Sequence, residues 1–93
     1  MDDAAREAGR QALASLERAL AQKPVRDGEV FSGATESLCR LRDGLTAEGD
    51  VDRRGTVNAV ISAVLAGHFP LGQTPWPEVE TAVAALRTVL VQA

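Results

Sequence analysis

The stretch VNAVISAVL, residues 57–65, decides between a helical and a mixed fold. Its large apolar residues are mostly β-branched, and such residues favour strands when nothing else intervenes. They recur, however, at intervals of three, one, three and one, as Val57, Val60, Ile61, Val64 and Leu65. A half-buried strand would need strict alternation, whereas this spacing gathers the apolar side chains on one face of a helix. The stretch therefore predicts a helix and, with it, an all-α fold.

The predicted helix has clear ends, and a second helix precedes it. Asp50 or Asp52 can cap its first amides, and Gly67 follows its predicted end near Ala66. The preceding helix should begin between Asp27 and Ser32 and stop near Gly49, a typical C-cap. Its apolar positions recur at spacings of three and four, as Phe31, Ala34, Leu38, Leu41 and Leu45. Gly44 interrupts this helix at a cost of about 1 kcal/mol relative to alanine.

A segment rich in proline and aromatic residues, GHFPLGQTPWP at 67–77, leads into the last helix. Thr74 can cap that helix, and the prolines that follow are tolerated in a first turn. Its main apolar stripe has the spacing of a helix packed at a shallow angle, with Trp76, Val79, Val83, Leu86 and Leu90. A second stripe beside it contains Ala82, Ala85 and Val89. Helices three and four are thus apolar over a wide arc, and either form the centre of the fold or face a second copy.

The first helix is predicted from about Asp3 to Gln22, with Asp2 and Asp3 at its capped start. One side of it is apolar: Ala5, Ala8, Ala12, Leu13, Leu16, Ala19 and Leu20. The first half of that side contains only alanines, so this end either frays or packs unusually close to a neighbour. Residues 23–30, KPVRDGEV, read as a connection to the second helix.

The 93 residues are too few for a second core, so the chain is expected to be one domain spanning 1–93. Four helices with short to medium connections predict a small antiparallel four-helix bundle, whose last two helices are joined by the proline- and aromatic-rich loop.

Charge and cysteine content limit the classes of partner. The net charge is −3, and no long segment is basic, which argues against nucleic acid as a partner. The longest mostly apolar run is far too short to cross a membrane, and the acidic beginning of the chain does not read as a signal peptide. The single cysteine, Cys39, cannot form an internal disulfide. We therefore expect a cytoplasmic protein without a membrane partner.

The sequence offers little chemistry for an enzyme. His68 has no nearby carboxylate or nucleophile in the sequence, and its place after helix three suits a favourable contact with the helix dipole. The acids in EGDVD, residues 48–52, do not follow the pattern of a calcium loop and are better explained as helix caps. We expect no catalytic residue, no metal and no cofactor, and hence no enzymatic activity.

The leading hypothesis for function is a protein–protein interaction module, which either self-associates as a homodimer or docks on another protein. Helices three and four and the 67–77 loop would carry the interaction, with partner-binding residues His68, Phe69, Leu71 and Trp76. Tryptophan is a favoured anchor residue in interfaces. The same apolar side chains could instead turn inward with Leu65 and seal one end of the core.

Two other functions stay open from the sequence. The second and third helices could form a DNA-binding helix-turn-helix, although the third helix has few exposed polar residues and the net charge is negative. Four arginines near the connection between these helices could instead bind an anion or small ligand: Arg40, Arg42, Arg53 and Arg54. Interspersed acids also make mutual pairing on the surface a plausible role for them.

Overall fold

The computed structural model describes residues 1–21, 29–66 and 76–91, and it shows four helices there. No strand occurs in these three ranges, so the all-α prediction is confirmed. The helices are α1 (Asp3–Ala21), α2 (Glu29–Glu48), α3 (Val51–Ala66) and α4 (Trp76–Val91). The Thr74 cap predicted for the last helix lies outside the described residues.

The helices form an antiparallel ring in which α1 and α3 each pack against both α2 and α4. The molecule measures 38 × 19 × 18 Å, and the 16 residues of α3 span about 24 Å, so α3 must lie along the long axis. Only two residues separate α2 from α3, which therefore run in opposite directions. The Met1 amine lies 2.9 Å from a carboxylate oxygen of Glu48, which places the start of α1 at the end of α2.

Among the described side chains, the core contains the predicted apolar face of each helix. The side chain of Phe31 lies outside the described residues. Its largest fully buried side chains come from all four helices and are Leu16, Leu38, Leu41, Leu45, Val57, Val60, Val64, Val79, Val83 and Leu86. Leu65 is the exception, because 53% of it is exposed. Successive helical residues are about 100° apart, so Leu65 falls beyond the arc that Val57, Val60 and Val64 turn inward. The expectation that Leu65 joins the core is wrong.

The turn between α2 and α3 is fixed by hydrogen bonds at Gly49 and Asp50. Gly49 has a φ of 73°, in the left-handed region. Its amide donates to the carbonyl of Thr46 at 3.1 Å, and the Asp50 amide donates to the carbonyl of Leu45 at 3.0 Å. This pair of bonds is the Schellman helix ending. Asp50 Oδ1 then accepts from the Arg53 amide at 3.2 Å, so Asp50 is the one of the two predicted residues that caps α3.

The first half of α1 packs very close to its neighbours, which resolves the alternative that the sequence left open. A Cβ added at Gly44 would lie 2.6 Å from the Cβ of Ala5, and one added at Gly9 would lie 2.6 Å from Leu90 Cδ2. Both contacts are too short for an added methyl group. The sequence presents Gly44 only as a cost to α2, and the structure adds a reason for glycine at this position, which permits the close approach of α1.

Alanine substitution at two helical glycines should give opposite effects on stability. Gly44→Ala is expected to lower the free energy of unfolding by about 1 kcal/mol. Overpacking against Ala5 destabilises the fold by about 1–3 kcal/mol, and the higher helix propensity of alanine offsets about 1 kcal/mol of this. Gly55→Ala in α3 is the matched control, since nothing lies within 4 Å of its added Cβ. It should raise stability by about 0.5–1 kcal/mol. Urea unfolding measures the change in the free energy of unfolding of each variant. Stabilisation by Gly44→Ala would contradict the close contact between α1 at Ala5 and α2 at Gly44.

Candidate functional site: the groove between α3 and α4

A groove of about 720 Å³ runs along the outer side of the bundle between α3 and α4. The α3 wall consists of Asp52, Gly55, Thr56, Ala59, Val60 and Ala63. The α4 wall consists of Pro77, Glu78, Thr81, Ala82 and Ala85. A smaller space of about 240 Å³, which also contacts Asp52 and Thr56, lies at the end where Thr88 and Val89 come close to α3. The two spaces together follow α3 from its first turn for three turns.

Short side chains keep the groove open. Gly55, Ala59 and Ala63 are spaced four residues apart on α3, and this spacing places them in one row along the helix. Gly55 and Ala59 are exposed, while Val60 and Ala82 are buried at the bottom of the groove. At the α1–α2 contact, a neighbouring helix fills the space beside the small residues. In α3, by contrast, no atom comes within 4 Å of a Cβ added at Gly55. The small residues of α3 thus border open space.

The threonines that line the groove use their hydroxyl groups within their own helices. Thr56 Oγ1 donates to the carbonyl of Asp52 at 3.3 Å, and Thr81 Oγ1 donates to the carbonyl of Pro77 at 3.0 Å. Each bond spans four residues of one helix, and it occupies the hydroxyl proton. The middle of the groove is therefore predominantly apolar.

Two carboxylates mark opposite ends of the groove. Asp52 is in the first turn of α3 and Glu78 in the first turn of α4, and both side chains are exposed. Because the helices are antiparallel, these first turns lie at opposite ends of the bundle. Asp52 and Thr88 line the same small space at one end. Antiparallel packing then brings Glu78 level with about Ala63 at the other end, so about 10–11 residues, or roughly 15–16 Å, separate the two acids along the axis. Among the described residues, neither carboxylate takes part in an ion pair.

Of the four partner-binding residues predicted from the sequence, one can be located. Trp76 is the first residue of α4, where it is half-buried and packs against the core. It precedes Pro77, which lines the groove. His68, Phe69 and Leu71 lie outside the described residues. Their part in partner binding stays a prediction.

Three of the four arginines proposed as an anion site face nearby carboxylates. Arg40 Nη2 lies 2.6 Å from Glu36 Oε1, and Arg53 Nη1 lies 3.2 Å from Asp50 Oδ2. Arg42 forms a longer pair with the adjacent Asp43, at 3.5 Å. The fourth, Arg54, is half-buried in the first turn of α3. The anion site at these four arginines stays a prediction.

The arrangement of α2 and α3 differs from that of a helix-turn-helix. That motif crosses two helices at about 90–120° through a turn of three or four residues. Here, two residues connect helices that lie side by side along the long axis. The described residues hold no group of three or more potential metal ligands. In the same ranges, no helix has both the length and the apolar character needed to cross a membrane.

Sequence reasoning missed the groove because its residues are mostly small and chemically plain. The sequence feature that could have indicated the groove is the row of small residues on the side of α3 away from its large apolar residues: Gly55, Ala59 and Ala63. The comparisons with known proteins add no relative: no protein-family model matches the chain, and no curated protein or solved structure is significantly similar to it.

Proposed function

We propose that the protein is an interaction module that binds a helix of another protein in the α3–α4 groove. The observation that supports this function is an apolar groove three helical turns long whose bottom is closed by the core and whose outer side is open. An amphipathic helix that lays its apolar face into such a groove is a recurring mode of recognition. This proposal keeps the interaction function predicted from the sequence and assigns it to α3 and α4, the two helices that the prediction named together with the 67–77 loop.

The shape and chemistry of the groove favour a helix over a small molecule. Pockets for small molecules enclose most of the ligand and present a few convergent polar groups. This groove is open along its length, and Thr56 and Thr81 direct their hydroxyl groups to their own helices. Its low walls at Gly55 and Ala59 let another backbone approach closely, and a length of about 16 Å suits roughly three turns of helix.

The proposed function can be tested with a neutral synthetic peptide. The peptide is a helix of about 18 residues with a stripe of leucine and alanine and with glutamine at both ends of the stripe. Titration into ¹⁵N-labelled protein should shift the amide resonances of Gly55, Ala59 and Ala85. The close α1–α2 seam at Ala5 and Gly44 serves as the internal control and should stay unchanged. Shifts confined to that seam, or no shifts at millimolar peptide, would refute the groove as a docking site.

A further inference from the structure

We infer that the helix bound in this groove is basic, with a positive side chain at each end of its apolar stripe, about eleven residues apart. This inference rests on the proposed function, because it specifies the partner of the same groove. The observation that carries it is charge complementarity. Asp52 and Glu78 are the charged side chains that line the groove of about 720 Å³, and both are acidic.

The spacing of the acids sets the spacing of the bases. A helix lying along the groove advances about 1.5 Å per residue, so eleven residues cover the 15–16 Å between the ends. Eleven residues are also close to three full turns, so the two basic side chains lie on nearly the same side of the partner helix. From there, long arginine or lysine side chains can reach the α3 wall at Asp52 and the α4 wall at Glu78.

Among the described residues, the bases near the groove do not pair with the two acids. Arg53, which lines the smaller space at the Asp52 end, lies 3.2 Å from a carboxylate oxygen of Asp50. Arg54, in the same turn of α3, is half-buried and lines neither space. Arg87 of α4 lies 3.3 Å from Glu17, which places it on the side of α4 that faces α1. Asp52 and Glu78 themselves have no ion-pair partner within the described ranges. An approaching helix therefore meets, at each end of the groove of about 720 Å³, a carboxylate that has no ion-pair partner among the described residues.

The same charges disfavour a second copy as the occupant. Two copies that met groove to groove would bring Asp52 and Glu78 of each chain into one interface, and the residues that line the groove of about 720 Å³ include no base to match them. Arg53, which lines the smaller space, already lies 3.2 Å from Asp50. Like charges placed together in an interface oppose association. We therefore expect the protein alone to be monomeric, and light scattering after size exclusion measures this. A dimer that Ala59→Trp dissociates would overturn the assignment of the groove to a basic partner.

Three synthetic helices test the inference on the intact protein. They share the apolar stripe described above and differ at the two ends, where they carry arginine, glutamine or glutamate. At low salt, the arginine helix should bind about tenfold more tightly than the glutamine helix, and the glutamate helix more weakly than both. Raising the ionic strength to about 0.5 M should narrow these differences, because salt screens exposed charges. Isothermal titration calorimetry gives the three affinities.

Protein variants assign the charge effect to the two acids. Asp52→Asn combined with Glu78→Gln should abolish the preference for the arginine helix while the glutamine helix still binds. Asp3→Asn is the matched control, since Asp3 is also an exposed first-turn acid but belongs to α1. It should leave the preference intact. If no peptide binds, the proposed function fails; if all three bind equally, the groove function stands and the inference of a basic partner is overturned.

Discussion

Replacing Ala59 with tryptophan is expected to weaken binding of the arginine helix at least about thirtyfold, the range of a central interface residue. Ala59 is exposed in the middle of the α3 wall, and an indole there would occupy the space that the partner backbone needs. No core atom has to move, so the free energy of unfolding should change by no more than about 0.5 kcal/mol. Calorimetric titration and urea unfolding of the same sample measure both quantities.

The neighbouring position provides the control for that substitution. Asn58 is also exposed on α3, but it lies outside the groove lining. Asn58→Trp adds the same ring on the same helix and should leave peptide affinity within about twofold of the original, as expected for an energetically neutral surface position. Equal loss of binding in the two variants would mean that tryptophan on α3 acts through something other than filling the groove.

Leu41→Ala is expected to cause the largest loss of stability, about 2–5 kcal/mol. Leu41 is completely buried on α2, where its Cδ2 would lie only 3.3 Å from a Cβ added at Gly9 of α1. Truncation to alanine removes apolar contacts and leaves a cavity at the tightest part of the bundle. The free energy of unfolding of a domain of this size is about 5–14 kcal/mol, so the variant would lose a large share of it. Urea unfolding with helical circular dichroism measures the change.

Leu65→Ala is the matched control for the core substitution, because it makes the same chemical change on α3 at a position that is 53% exposed. Its expected cost is below about 1 kcal/mol, because the methyl groups that it removes are only partly buried. A cost equal to that of Leu41→Ala would show that Leu65 is buried in solution and would restore the expectation that it helps to seal the end of the core.

The positions and buried faces of the helices could be predicted because they depend on local sequence patterns. The three-and-four spacing of Leu38, Leu41 and Leu45 indicates both a helix and its buried face. Gly49 and Asp50 have the residue types that end one helix and begin the next, and the hydrogen bonds of the turn confirm those roles. Short connections between such helices leave few arrangements other than an antiparallel bundle.

The candidate site could not be predicted because it depends on which helix faces which. Gly44 and Gly55 are both single glycines inside helices, and nothing near them in the sequence distinguishes their environments. In the structure, Ala5 fills the space beside Gly44, whereas the space beside Gly55 is open. Similarly, Asp52 and Glu78 read as ordinary first-turn acids, which stabilise any helix start. Only the antiparallel packing of α3 and α4 places these acids at opposite ends of one groove.

The crystal structure of the protein with the arginine helix is the most direct test of the central claim. Our account predicts that the peptide lies along the groove between α3 and α4, with its two guanidinium groups within about 4 Å of the carboxylates of Asp52 and Glu78. The peptide backbone should pass closest to Gly55 and Ala59. A peptide seated on another face of the bundle, or a groove filled by another part of the protein's own chain, would contradict the account.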